Sequence, residues 1–147
     1  LMMGKATHGV RIFLGLFLLA NGLNFWFGFL PLSVPPNDLA NQLMAALVAS
    51  DLFEVVKTVE ITTGLLLLCN RFVPLSLLVM TPLSVIIFWL DFVIIGTVET
   101  WIYGILLLAP QAWLMLHCLH SYLPLLRPVN ALRFPARHDL AGLISEK

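Results

Sequence analysis

Apolar residues run along this chain in long stretches, separated by short polar or proline-rich breaks. The stretches cover residues 9–30, 52–69, 72–95 and 101–126. A helix needs about 20 consecutive, mostly apolar residues to cross the hydrocarbon core of a bilayer, so each stretch predicts one membrane span. Pro31, Pro35 and Pro36 break the first, because proline cannot continue a helix. Asn70-Arg71 ends the second, Gly96 follows the third, and Arg127-Pro128 follows the fourth. Residues 37–50 read differently. Leu39, Leu43, Ala46 and Leu47 recur at helical spacing, with Asp38 as a cap or first-turn residue. The segment is too short and too polar to span, and predicts an interfacial or re-entrant helix. The expected fold class is all-α: an integral membrane four-helix bundle with that short helix between the first and second spans. Residues 1–126 form the membrane domain and residues 127–147 a cytoplasmic tail. The first stretch is longer than the roughly 7–15 residues of a signal-peptide core, and is expected to be retained as a span.

Composition agrees with the pattern. The chain of 147 residues is 60% hydrophobic and 11% charged, against about 25% charged in soluble domains. A soluble domain of this size has too little interior to hide so much apolar surface. Formal net charge is zero, which leaves nucleic-acid binding without electrostatic support.

The basic residues set the orientation. Lys5 and Arg11 flank the first span, Arg71 sits between the second and third, and Arg127, Arg133, Arg137 and Lys147 follow the fourth. The remaining connections carry Asp38, Asp51 and Glu99 but no Lys or Arg. The positive-inside rule makes the basic side cytoplasmic, with both termini there. Trp26, Trp89, Trp101 and Tyr103 then lie toward the outer interface and Tyr122 toward the inner one, as an aromatic belt requires. A bacterial inner membrane is the expected location.

Within this frame, Glu54, Lys57 and Glu60 are the anomaly. They interrupt a span, and each charge at mid-membrane costs about 2.5–3.5 kcal/mol on insertion scales. Such groups pair with one another, face a protein interior, or line a wet cavity. Glu54–Lys57 and Lys57–Glu60 are i,i+3 pairs on one helix. By depth, Asn21 and Asn24 of the first span and Asp91 of the third fall in the same outer half. Ala20, Asn24 and Gly28 form a small-residue stripe that lets helices approach closely. The simplest arrangement packs the first span on the second, asparagines toward the charged triplet. Two readings follow. Either these groups only tie helices together, Lys57 shared between two carboxylates, or Asn21, Asn24, Glu54, Lys57, Glu60 and Asp91 line a polar pocket for a small ligand, a quinone headgroup or a proton. A shifted span that leaves Glu54 at the surface is the third alternative.

Other constellations carry less. Cys69 and Cys118 lie toward the cytoplasmic side, where disulfides do not persist, and no Cys-x-x-Cys is present. His117, Cys118 and His120 read as residues at a helix end rather than a metal or haem site. There is no phosphate-binding glycine loop and no nucleophile elbow, so no catalytic residues, metal or resident cofactor are expected, apart from bound lipid or quinone. Pro74, Pro82 and Pro110 predict kinks. The arginine-bearing tail suits anionic lipid or a partner subunit.

Taken in order, Gly15, Asn21-Gly22-Leu23-Asn24, Phe29-Leu30-Pro31, then Lys57 and Glu60, Gly64, Asn70-Arg71-Phe72-Val73-Pro74 and Pro82 resemble the DoxX family of small four-helix bacterial membrane proteins. The resemblance covers about residues 11–126. It implies a four-helix bundle with the pre-span helix, and family use of the positions of Asn24, Lys57 and Glu60. Some members accompany quinol oxidase or thiosulfate-oxidising systems. The leading expectation is a non-catalytic accessory subunit of a larger redox or energy-transducing membrane complex, contacting partners through span faces and the tail. The alternative is a quinone- or lipid-binding module.

Overall fold

The computed structural model describes residues 4–31 and 37–126. Every regular element among them is helical. In chain order these are α1 (Lys5–Phe27), α2 (Asp38–Ala49), α3 (Leu52–Leu68), α4 (Val73–Trp89), a π-helical turn (Leu90–Ile95), α5 (Val98–His117), α6 (Leu119–Tyr122) and a closing 3-10 turn (Leu123–Leu126). Two helices are long and apolar enough to cross a membrane, Lys5–Phe27 and Val73–Ile95, each of 23 residues. The number rises to four if α2 with α3, bent by 80°, and α5 with the segment after it, bent by 74°, each count as one broken span. These helices support a membrane protein. The tail and Pro35-Pro36, on which further expectations rested, lie outside the described residues.

Local chemistry sets the element ends. α1 stops at Gly28, whose φ of 59° is left-handed and whose N–H closes on Asn24 O at 2.8 Å. Asn37 caps α2 by accepting from Ala40 N at 2.8 Å. The sharp bend into α3 turns on Asp51, at a φ of 57°. The π turn stops at Gly96, and the Thr97 side chain accepts from Thr100 N to open α5.

α1 packs on α3 and α5, and α4 packs on the same two helices, so the four long helices close into a ring. α2 lies outside it, against α3 and the π turn. The tightest seam is α1 on α3, and its cause is glycine. A Cβ on Gly64 would meet Gly15 O at 2.8 Å and Leu19 N at 2.9 Å; one on Gly22 would meet Ile61 Cγ1 at 2.6 Å. The close approach is therefore Gly15 against Gly64, continued by Gly22 against Lys57 and Ile61. The predicted stripe of Ala20, Asn24 and Gly28 has another role at its end: Gly28 has no neighbour within 4 Å of an added Cβ and serves to stop the helix.

Leu14, Leu18, Leu67, Leu77, Met80 and Leu114 fill the core. Two polar clusters tie it. Between α4 and α5, Ser84 donates to Gln111, and Gln111 Nε2 donates to Thr81 Oγ1 (3.2 Å) and Leu77 O (3.3 Å). At the other seam, Arg11 is 4% exposed rather than a solvated flank. Its guanidinium donates to Leu67 O and to Leu68 O, both in the last turn of α3, where carbonyls lack intrahelical partners. Tyr122 OH donates to Pro74 O at 2.8 Å and holds the segment after α5 against the start of α4.

Candidate functional site

Between α1, α3, the π turn and α5 lies a cavity of about 260 Å³, with Met44 of α2 and Leu30-Pro31 also in its wall. Helical periodicity builds it. α1 contributes Phe17, Asn21 and Asn24; α3 contributes Phe53, Lys57 and Glu60; α5 contributes Thr100, Tyr103 and Leu107. In each set the spacings are three, four or seven residues, which is one face of a helix. Most of the wall is apolar, and the polar groups gather within it.

The ion pair is the centre. Lys57 Nζ reaches both oxygens of Glu60, at 2.9 and 3.1 Å, and stands 5.1 Å from the Phe53 ring centroid. The Lys57 side chain is 16% exposed and that of Glu60 4%. A fork of this kind satisfies both carboxylate oxygens with one cation, which is what an ion pair removed from water requires. The ring face adds a cation–π contact.

Asp91 comes from across the cavity, on the π turn. The main-chain carbonyl of Asp91 accepts from Gly96 N–H and Thr100 Oγ1, both at 3.0 Å. These bonds hold the turn and leave the carboxylate unused by it. Gly104 lets α5 pack closely against this turn: a Cβ there would sit 3.5 Å from Asp91 Oδ2 and 3.2 Å from Phe88 Cδ2.

The asparagines divide the work. Asn24 is 5% exposed, and its side chain makes a reciprocal pair with the Leu30 backbone: Leu30 N donates to Oδ1 at 2.6 Å, and Nδ2 donates to Leu30 O at 3.3 Å. It pins the chain leaving α1 to the cavity edge. Asn21 donates Nδ2 to Phe17 O at 2.8 Å. Its oxygen accepts from no described residue.

Of the six residues singled out from sequence, Asn21, Asn24, Lys57, Glu60 and Asp91 line one cavity. Glu54 does not. It is exposed, outside the cavity wall, while Lys57 turns to Glu60. The second acid near Lys57 is Asp91, supplied by a different helix. Sequence reasoning missed Thr100 and Tyr103, although Thr97 three residues before Thr100 is of a capping residue type. It also missed Asn37, whose Nδ2 donates to Ile94 O at 2.6 Å and joins α2 to the π turn.

Among the described residues, no group of three or more His, Cys, Asp and Glu side chains is placed to hold a metal. His117 Nδ1 donates to Trp113 O at 2.8 Å, and Cys69 and Cys118 are unpaired thiols. No protein family model matches the chain, and no curated protein or solved structure does either.

Proposed function

We propose that this chain is a membrane module that binds a small amphipathic molecule, of the lipid or quinone class, in the cavity between α1, α3, the π turn and α5. One observation carries the reading: polar groups from separate helices, Asn21, Lys57, Glu60 and Asp91, converge on one cavity whose wall is mostly apolar. That combination is how small-molecule sites are built, with a few placed polar groups fixing orientation and apolar surface supplying affinity. In the same proposal the chain makes four spans in a bacterial inner membrane, both termini cytoplasmic. The distribution of Lys5, Arg11 and Arg71 supports that orientation. The cavity then lies in the outer half of the bilayer.

The test is gentle extraction followed by mass analysis of co-purifying small molecules. The expected result is an amphiphile that stays with the wild-type protein and is lost from Asn21→Leu, with helicity unchanged. A protein that carries none, or a variant that retains it equally, overturns the reading.

A second reading is an accessory subunit of a larger redox or energy-transducing complex, as the DoxX resemblance implies. The observation in its favour is the outer face of α3. Glu54, Thr58 and Thr62 are exposed there at four-residue intervals. The threonines donate to Glu54 O and Thr58 O, each at 2.8 Å. A polar stripe facing lipid suits a neighbouring helix. A native mass equal to the chain alone, after the mildest extraction that preserves the fold, counts against it.

A further inference from the structure

We infer that the cavity selects a cationic headgroup, and that its ligand is a small organic amine with an apolar body. The inference rests on the cavity being an amphiphile-binding site, as proposed above, and narrows its ligand to one that bears an amine, free or on a lipid, in place of a quinone. The ionisable side chains in its wall are Lys57, Glu60, Asp91 and Tyr103. Counted by formal charge, one cation, Lys57, faces two carboxylates, Glu60 and Asp91. The Lys57 ammonium is committed to Glu60, both of whose oxygens it bonds. Asp91 is left as the acceptor without a cation of its own.

The surroundings of Asp91 fit an ammonium. The backbone bonds of the π turn use its main-chain oxygen and not its carboxylate. Asp91 itself stands in the cavity wall, while Gly104 packs α5 closely behind it. Phe17, Phe53 and Tyr103 stand in the same wall, and aromatic faces attract cations. Asp91 lies on the π turn that ends the span, between α4 and Gly96, and π-helical geometry is itself uncommon. A quinone brings acceptor oxygens, which Asp91 cannot satisfy when ionised.

The experiment uses the full chain in phosphatidylcholine nanodiscs and three probes of similar body: phenethylamine, phenethyl alcohol and hydrocinnamate. Binding is read as a concentration-dependent rise in the thermal midpoint. The amine is expected to raise it, the alcohol weakly, the acid not at all. Asp91→Asn is expected to weaken the amine by about tenfold or more, the scale of one lost charge-assisted hydrogen bond. Asp91→Glu, which keeps the charge, retains binding and separates loss of the acceptor from loss of the fold. A rise produced instead by phosphatidylethanolamine added to the discs identifies the amine as a lipid headgroup. Equal responses to amine and alcohol, or an amine response indifferent to Asp91→Asn, overturn the cation preference and leave the cavity reading standing. No response to any probe, phosphatidylethanolamine included, overturns the amine assignment, while the cavity reading stands or falls with the co-purification test.

Discussion

Lys57 holds an ammonium in an apolar wall because Glu60 meets it with both oxygens at 2.9 and 3.1 Å. Removing one partner leaves the other buried without compensation. Lys57→Met is therefore expected to cost about 3–5 kcal/mol in chemical unfolding in detergent. The double variant Lys57→Met/Glu60→Leu should recover most of it, since an apolar replacement of a buried pair is often neutral. A double variant as unstable as the single would show that Lys57 acts through packing. Gly64→Ala tests the α1–α3 seam. Alanine gains about 1 kcal/mol in helix propensity, but its Cβ meets backbone atoms at 2.8 and 2.9 Å, and two helices must part to admit it. The clash should win, by about 1–3 kcal/mol of lost stability. At this scale the sequence revealed much: charges inside an apolar run announce themselves, which is how Lys57 and Glu60 stand out. Spacing along one helix did not say which neighbour Lys57 would choose. Glu54 and Glu60 are each three residues away, and tertiary packing decided it by bringing Asp91 rather than Glu54 to the cavity.

The elements were legible where punctuation is strong and obscure where it is not. Gly96 is readable as a stop and Asp38 as a first-turn residue, whereas the stop at Gly28 and the caps Asn37 and Thr97 emerge only from the structure. The π turn is not readable, because Leu90–Ile95 has the hydropathy of the helix it continues. Nor is the 80° bend before α3, which rests on a left-handed Asp51. α2 is fastened by Asn37 alone in two ways, one oxygen capping Ala40 N and one nitrogen held by Ile94 O. Two variants separate these roles. Asn37→Asp keeps the cap and loses the tie; Asn37→Ala loses both. We expect amide hydrogen exchange in α2 to quicken in both variants. The alanine change should cost about 1 kcal/mol more, the value of a helix cap. Equal exchange in wild type and Asn37→Asp would mean that the tie to the π turn contributes nothing.

For the whole molecule, orientation is the property that the ring of α1, α3, α4 and α5 leaves open, since the same packing works either way up. Charge asymmetry at Lys5, Arg11 and Arg71 supplies the proposed answer, and Cys69 offers a probe. It is exposed beside the turn from α3 to α4. In a Cys118→Ser background, an impermeant maleimide applied to intact cells should leave Cys69 unlabelled until the membrane is permeabilised. Val98→Cys, with Cys69 also replaced by Ser, should label at once, because Val98 is 67% exposed at the opposite end. The reverse pattern would invert the assignment. The ring itself was only half legible: matching polar residues pointed to α1 beside α3, whereas nothing in the hydropathy of α5 says that it completes the circle through Gly104 and Gln111. The π turn couples all of this to a count of residues. Each residue of a regular helix turns the chain by about 100°, so excising one position between Leu90 and Ile95 would keep the segment as oily and nearly as long. Taken from the positions after Asp91, the loss would leave that residue where α4 sets it and hand Thr97 and α5 a rotated starting phase. A change invisible to hydropathy would thus part the Asp91 carbonyl from the Thr100 hydroxyl that holds it.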